Sequence, residues 1–272
     1  MMRASDVEEA LRRLGTRAHR RLGQHFLIDE RIARRQVEFA SIKQDETVLE
    51  IGPGLGVLTH LLAEKSGDVV AVEKDRRFCE MLRKELPHVH IVEGDALKVD
   101  LPKFDVVVSN LPYQISSPIT FRLLEKRFDR AVLMFQREFA DRMVAERGDA
   151  GYSRLSVHVY CRAKAEVIED VPRSAFYPQP EVDSAIVFLR PRPPPFKIED
   201  ETLFVSVVDR LFQHRRKTIE NGLSLHWSEF GGSRDSVREA IQRTGFSGMR
   251  AEELTPEQMG LLADELHRNR GA

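Results

Sequence analysis

Short apolar runs rich in β-branched residues recur along the first half of the chain, and stretches of helical periodicity separate most of them. Each run is short and continuous, which predicts a buried strand, and strands that alternate with helices predict a parallel sheet covered on both faces. Five strands are predicted in this way, at positions 47–51, 69–73, 89–92, 104–108 and 131–135. The helical patterns cover positions 30–40, 57–64, 76–86, 118–128 and 137–147.

The pattern changes after these elements. Two further runs, 165–171 and 184–189, predict closing strands at the edge of the sheet. The proline-rich segment 190–195 can neither continue a strand nor start a helix in mid-run, so it predicts a stiff linker. Beyond it the periodicity is helical throughout. We therefore expect an α/β domain over 1–192 and a small, all-helical domain over 193–272.

Composition narrows the class of protein only a little. The chain has 272 residues, of which 42% are hydrophobic, and no apolar run is long enough to cross a membrane. The charged N-terminal segment lacks a secretion signal, and Cys79 and Cys161 have no CxxC spacing, so we expect buried thiols in a reducing cytoplasm. The histidines lack metal-ligand spacing, which predicts no metal site. Trp227, the single tryptophan, is expected to pack in the helical core.

The net charge of −1 does not indicate a nucleic-acid partner, but two basic clusters stand out locally. One precedes the first strand and the other lies in the helical region; they comprise Arg17, Arg20 and Arg21, and Arg215, Arg216 and Lys217. Such clusters on a neutral protein form either a phosphate-binding face or ordinary solvated helix faces. Charge alone leaves both readings open.

A glycine-rich loop follows the first strand. Gly52, Gly54 and Gly56 stand between that strand and a helix, where glycines let the backbone approach a ligand closely. The dinucleotide fingerprint would need a further glycine at Val57, and no Gly-Lys-Ser/Thr follows, so the loop matches neither that fingerprint nor a P-loop.

Two acids follow the next two strands, Glu73 after the second and Asp95 after the third. At the carboxyl edge of a parallel sheet, the first carboxylate would accept the hydroxyls of a ribose and the second an adenine amino group. This arrangement fits an adenosyl cofactor without a phosphate. Either acid alone could also be an ordinary loop residue.

The fourth strand is followed by Asn110-Leu111-Pro112-Tyr113. This tetrapeptide resembles the motif of amino-methyltransferases that act on exocyclic base nitrogens. The lone pair of such a nitrogen is delocalised into the ring, and acceptors for its two N–H groups would favour a pyramidal, nucleophilic nitrogen. Tyr113 would supply a stacking surface for a flipped base, and Pro112 restricts Leu111 to an extended conformation. A turn that merely ends a strand is the alternative.

The whole chain resembles the ribosomal RNA small-subunit adenine dimethyltransferase family, the KsgA-like enzymes, in several motifs. These are the N-terminal signature at 23–27, the cofactor loop at 50–59, the two acid motifs, the late signature at 176–184 and a motif in the helical region at 212–217. The run Gln-Ile-Ser-Ser-Pro after Tyr113 resembles the archaeal and eukaryotic branch, with the archaeal favoured by the compact length.

The resemblance implies a Rossmann-like, seven-stranded methyltransferase fold and S-adenosyl-L-methionine as cofactor. It implies cofactor contacts from Gln24, His25, Leu27, Gly52, Gly54, Glu73, Asp95, Ala96 and Asn110, and a target site formed by Asn110, Leu111, Pro112, Tyr113 and Phe176. His25 departs from the bacterial pattern, which has asparagine there. If the cofactor contact is made by the main chain the change matters little, whereas a side-chain contact would be in doubt.

The implied reaction is N6,N6-dimethylation of two adjacent adenines in the 3′-terminal hairpin of small-subunit rRNA, with a role in ribosome biogenesis. The implied partner is that rRNA or an assembling 30S-type subunit, with the basic clusters gripping phosphates, no membrane or metal, and a monomeric protein. Three alternatives stay open: a resistance-type methyltransferase of large-subunit rRNA, a DNA adenine methyltransferase, and a non-catalytic binding role.

Overall fold

The computed structural model describes residues 3–18 and 23–270 of the chain. Nine strands lie in this part of the chain, numbered in order: β1 Phe26–Leu27, β2 Thr47–Ile51, β3 Asp68–Glu73, β4 His90–Glu93, β5 Val106–Asn110, β6 Arg130–Gln136, β7 Ala163–Val171, β8 Phe176–Tyr177 and β9 Ser184–Pro191. The described α-helices are α1 Ala4–Arg13, α2 Glu30–Ala40, α3 Val57–Ala63, α4 Arg76–Glu85, α5 Ser116–Leu124, α6 Arg137–Val144, α7 Arg154–Arg162, α8 Glu201–Gln213, α9 Ile219–Leu223, α10 Trp227–Phe230, α11 Arg234–Arg243 and α12 Pro256–Asn269.

Seven strands form one mixed sheet in the order β4-β3-β2-β5-β6-β9-β7. The five strands from β4 to β6 are parallel, and β9 joins β6 in an antiparallel register that pairs Leu133 with Val187. All five strands and both closing strands expected from the sequence are present, with ends that differ by up to two residues. The seven-stranded, Rossmann-like prediction is confirmed.

The helices that connect these strands begin where the sequence supplies a cap. Asp29 and Asp75 accept hydrogen bonds from backbone N–H groups in the first turns of α2 and α4, each at 3.0 Å. The helices pack apolar faces on a core of β-branched strand residues, in which Val48, Val106 and Val132 are fully enclosed. The predicted core residues Met134 and Phe135 are buried as well.

A second, two-stranded sheet joins parts of the chain that are far apart in sequence. β1 and β8 run antiparallel, with Phe26 opposite Tyr177 and Leu27 opposite Phe176. The backbone N–H of Ile28 extends this contact by donating to the carbonyl of Ala175 at 2.8 Å. The two resembling signatures, at 23–27 and 176–184, are therefore neighbours in space.

The chain divides into two compact units. The first comprises residues up to Ala140 together with Lys164–Pro191, and the second comprises Asp141–Ala163 together with the residues from Arg192 onward. Tyr152, Val157 and Cys161 pack into the core of the C-terminal helices, so residues 141–163 belong to the second unit. The expected division into domains 1–192 and 193–272 stays a prediction, and any test of it has to account for this segment.

One expectation for the second unit is wrong. Trp227 is not in its core but is 40% exposed, whereas Phe204 and Phe230 are buried there. Cys79 and Cys161 are free and buried, as expected. Within residues 3–18 and 23–270, no helix combines the length and the apolar character that crossing a bilayer requires.

Candidate active site

A crevice opens between β2 and β5, where the strand order of the sheet reverses. The two strands are paired only near their start, at Val48 with Val106 and Leu49 with Val107. Further along, the Ser109 hydroxyl takes the place of the missing backbone pairing: it donates to the Ile51 carbonyl at 2.5 Å and lies 3.3 Å from the Ile51 nitrogen. Open α/β sheets bind ligands at such a reversal, beyond the carboxyl ends of the strands.

This crevice holds a cavity of about 360 Å³, within the range of small-molecule sites. All the residues expected at the cofactor and the target amine line it: Gln24, His25, Leu27, Gly52, Gly54, Glu73, Asp95, Ala96, Asn110, Leu111, Pro112, Tyr113 and Phe176. They come from the ends of four parallel strands and from the β1–β8 sheet. Their roles toward a ligand stay predictions.

The glycine loop leaves no room for side chains. Gly52 and Gly54 have positive φ values of 71° and 56°. A Cβ would lie 3.3 Å from the ring of Pro112 at the first position and 3.2 Å from the ring of Phe26 at the second. The bare backbone therefore forms one wall of the cavity, as a ligand that approaches the loop closely requires.

Glu73 is held in place by the loop that it faces. Its carboxylate is buried and accepts three backbone hydrogen bonds, from Gly54 at 3.0 Å, Lys74 at 2.7 Å and Asp75 at 2.8 Å. Burial raises the pKa of Glu73, while the backbone donors oppose that shift. A carboxylate has about four acceptor positions, so one stays available on the oxygen that binds Gly54.

Asp95 stands in a more polar position. One oxygen accepts from the backbone N–H of Leu97 and the other from the Lys74 ammonium, both at 3.0 Å. These two bonds lower the pKa of Asp95 and keep it ionised, ready to accept from an amino group. The sequence did not predict the contact with Lys74, because an acid that follows a strand does not show which cation will pair with it.

Asn110 carries the most informative atom of the site. Its side-chain oxygen Oδ1 is buried, and no hydrogen-bond donor reaches it among the residues that the structure describes. A buried, unpaired acceptor costs on the order of 1–3 kcal/mol, so a donor from a ligand or from water is expected to reach this atom. Asn110 lies at the end of β5, at the opening of the crevice.

The Pro112 carbonyl is less available than that of its neighbour. It accepts a hydrogen bond from the Ile115 N–H at 3.0 Å in the turn that follows. The Leu111 carbonyl is therefore the better placed of the two to accept a hydrogen bond from a substrate.

Tyr113 forms an aromatic wall that its neighbours hold fixed. Its hydroxyl lies 2.6 Å from the Ser184 hydroxyl, and its ring stacks on His25 with centroids 5.6 Å apart. Burial raises the pKa of Tyr113, so the phenol stays neutral at physiological pH. Ser184 belongs to the late signature, but its bond to Tyr113 was not anticipated.

The side chain of His25 makes a structural contact. Its Nδ1 lies 2.6 Å from the Pro178 carbonyl, and an acceptor there requires Nδ1 to carry the proton. His25 thereby fixes the loop after β8 against Tyr113. The imidazole is thus engaged with protein atoms on two sides, which favours the main chain at this position for any cofactor contact.

The two basic clusters differ in how far the structure describes them. Arg17 is exposed, while Arg20 and Arg21 lie outside the described residues. In the second unit Arg215 forms an ion pair with Glu252 at 2.5 Å, whereas Arg216 and Lys217 are exposed. Over the described ranges, no three His, Cys, Asp or Glu side chains are arranged to hold a metal ion.

The strand order and the crevice at its reversal define the chain as a methyltransferase of the Rossmann-like type, with S-adenosylmethionine as its methyl donor. The family model described as "Ribosomal RNA adenine dimethylase" matches residues 15–266. The chain belongs to this family, as the motifs of the sequence indicated.

Two similar curated proteins come from archaea. The chain is 51% identical over 246 residues to the "Probable ribosomal RNA small subunit methyltransferase A" of Thermococcus kodakarensis, covering 89% of this chain and 87% of that one. It is 46% identical to the protein of the same name from Methanopyrus kandleri, with 92% of each chain covered.

Two solved structures share both sequence and fold with this chain. A dimethyladenosine transferase from Plasmodium falciparum is 30% identical with a TM-score of 0.79, and the match covers 90% of this chain and 98% of that one. The 23S rRNA methyltransferase ErmE is 33% identical with a TM-score of 0.66, with 89% and 99% covered.

Proposed function

We propose that the chain transfers methyl groups from S-adenosylmethionine to the N6 amine of adenines in small-subunit rRNA, with N6,N6-dimethyladenosine as product. The buried, unpaired Oδ1 of Asn110 is the observation that carries this proposal. An amide oxygen in that position is an acceptor that waits for an N–H donor, and an exocyclic amine is such a donor.

The chemistry needs two acceptors and no strong base. Asn110 Oδ1 and the Leu111 carbonyl would accept the two N–H groups of the amine, which favours a pyramidal nitrogen with its lone pair free. Tyr113, whose phenol is neutral, would hold the base by its ring, with Phe176 as a second apolar surface. The cofactor supplies an electrophilic methyl group on its sulfonium.

The residues present fit that cofactor. The bare backbone at Gly52 and Gly54 leaves room for the methionine portion, the open acceptor position of Glu73 suits a ribose hydroxyl, and ionised Asp95 suits the adenine amino group. Gln24, His25, Leu27 and Ala96 complete the walls of the same cavity. The absence of a phosphate clamp in the loop agrees with a cofactor that carries no phosphate.

The names of the relatives favour the small subunit. The curated relatives above are named as small-subunit methyltransferases at 46–51% identity, against 33% for the 23S enzyme. We extend the proposal to two adjacent adenines in the 3′-terminal hairpin and to a monomeric protein that acts in the cytoplasm on the assembling small subunit. Hairpin-loop bases are partly unstacked, which lowers the cost of extruding them.

The basic clusters would bind the rRNA backbone. Arg17, Arg20 and Arg21 in the N-terminal segment, and Arg215, Arg216 and Lys217 in the second unit, are candidates for phosphate contacts. Each contact that releases a counterion makes binding weaker at higher salt.

The test is methyl transfer from radiolabelled S-adenosylmethionine to unmethylated small and large ribosomal subunits. We expect label in small subunits only. Label in large subunits would move the chain to the 23S-type activity. If the chain bound the cofactor but labelled neither subunit, it would act as a binding factor rather than through the proposed activity.

A further inference from the structure

The only tryptophan of the chain lies on the surface of the second unit. Trp227, the first residue of α10, is 40% exposed, and Leu225, two residues earlier, is 50% exposed. Scattered apolar side chains on a surface are ordinary, but here a leucine and a tryptophan two positions apart are both exposed, and these two residues are called the apolar patch below. Tryptophan is also the side chain with the largest stacking face.

A histidine pair connects this patch to the basic segment 214–217. Nε2 of His226 lies 2.9 Å from Nε2 of His214, with ring centroids 5.1 Å apart. Nδ1 of His226 lies 3.4 Å from the Glu229 carboxylate. A proton on that Nδ1 makes Nε2 of His226 the acceptor and His214 the donor. His226, the residue before Trp227, is thus in contact with His214, the first residue of the segment that carries the cations.

Two cations of that segment are available to a ligand. Arg215 is paired with Glu252, but Arg216 and Lys217 are exposed, and no acid of the described chain lies within 4.0 Å of their charged groups. The backbone of this segment is held by hydrogen bonds. The Lys217 N–H donates to the His214 carbonyl at 2.7 Å, and the Ile219 N–H donates to the Met249 carbonyl at 2.8 Å. The cations therefore project from a fixed base.

The acids nearest in sequence are already engaged with other cations. Glu229 binds Arg210 at 2.9 Å, and Glu220 lies 3.7 Å from Arg238. These two acids therefore do not neutralise Arg216 and Lys217. An aromatic face beside free cations matches a single nucleic-acid strand, in which bases alternate with phosphates.

We propose that Trp227, supported by Leu225, is a stacking platform for an unpaired base of the RNA substrate, with the adjoining phosphates bound by Arg216 and Lys217. This contact rests on the proposed function, because it takes the same class of substrate. It adds base stacking to a region proposed above only for phosphate contacts.

Because Trp227 is the single tryptophan, its fluorescence reports on this surface alone. We would titrate the full chain with single-stranded RNA about ten nucleotides long, the length of a typical single-strand site. Stacking predicts saturable quenching of the tryptophan emission. Inorganic polyphosphate, which carries charge without bases, is expected to bind without comparable quenching.

Variants separate the stacking face from the charges. Trp227→Ala should weaken RNA binding about tenfold in a filter-binding assay, whereas Trp227→Phe should bind nearly as well as the original chain. The double variant Arg216→Ala/Lys217→Ala should quench only at higher RNA concentration and reduce the slope of log K against log salt by about two. The matched control is Leu261→Ala, which removes another exposed apolar side chain, on α12. It should change neither the RNA affinity nor the salt dependence of binding.

Three results would overturn the proposal. They are RNA binding by filter assay without a change in emission, equal quenching by polyphosphate, and unaltered RNA affinity in Trp227→Ala. A change in emission with intact subunits but not with naked RNA would assign the patch to a protein partner instead. Loss of methyl transfer with quenching retained would count against the proposed function only, whereas methyl transfer without quenching would count against the stacking platform only.

Discussion

At the scale of single residues, the protein buries the carboxyl group of Glu50 away from water. Glu50 lies in β2 below the glycine loop, 2% exposed, and its Oε2 meets no hydrogen-bond donor in the described chain. Burial, reinforced by the negative charge of Glu73, raises the pKa of Glu50 to about 8. The folded protein therefore holds a proton here that the unfolded chain releases above its ordinary pKa near 4.5.

This difference makes stability depend on pH. The contribution of Glu50 is fully present below about pH 4.5 and is lost as the pH rises toward 8, because the unfolded state then binds fewer protons. Glu50→Gln cannot ionise, so we expect its melting temperature to exceed that of the original chain at pH 8–9, with the gain shrinking toward pH 5. Thermal unfolding across this range measures it.

Glu46→Gln is the matched control. Glu46 pairs with Arg130 at 2.6 Å, and this bond lowers the pKa of Glu46, whereas the pKa of Glu50 is raised. The substitution there should lower the melting temperature at neutral pH. A Glu50→Gln variant with the same pH profile as the original chain would show that Glu50 ionises normally in the folded state.

Tyr113 offers two groups to the target base, a ring and a hydroxyl, and substitutions can separate them. Tyr113→Phe loses only the bond to Ser184, worth on the order of 1 kcal/mol, so we expect methyl transfer to fall a few-fold. Tyr113→Ala loses the stacking face and should lower kcat/KM for RNA about tenfold to a hundredfold. If Tyr113→Phe lowered methyl transfer as much as Tyr113→Ala, the hydroxyl rather than the ring would be the group that matters for transfer.

At the scale of elements, the sequence located the strands well because their apolar runs are continuous. The candidate site followed from them, since motifs at the carboxyl ends of parallel strands must meet at one edge of the sheet. The two-residue strands β1 and β8 could not be found, because two residues show no periodicity and their pairing partners lie far apart in sequence. The contacts of Lys74 with Asp95 and of His25 with Pro178 could not be predicted for the same reason, since these partners are also far apart in sequence.

The entry into α3 is the element most sensitive to substitution. Gly56 has a φ of +81°, and a Cβ there would lie 2.6 Å from Cδ2 of Leu82. Gly56→Ala should destabilise the fold by about 1–3 kcal/mol and weaken cofactor binding by displacing the loop. Thermal unfolding and calorimetric titration with the cofactor measure the two effects.

Gly67→Ala provides the comparison for that change. No atom lies within 4 Å of a Cβ at Gly67, so we expect a shift within about 0.5 kcal/mol. Equal stability of the two alanine variants would contradict a strained, close-packed turn at Gly56.

At the scale of the whole molecule, the chain combines a methyltransferase unit with a helical unit. Periodicity predicted an α/β part and a helical part, but not that residues 141–163 would pack with the C-terminal helices, since the periodicity of a helix indicates a buried face without its partner. Trp227 was wrongly predicted to be buried for a related reason: hydrophobicity predicts burial on average and does not identify which apolar side chains stay exposed.

The most direct test of the account is where the methyl groups arrive. Unmethylated small subunits would be incubated with S-adenosylmethionine that carries deuterated methyl groups, and the nucleosides analysed by mass spectrometry. We predict two heavy methyl groups on N6 of adenosine, and at least a hundredfold slower transfer with Asn110→Ala at saturating cofactor, while Asn269→Ala transfers normally. Heavy methyl groups at another position of the base, or full transfer by Asn110→Ala, would contradict the account.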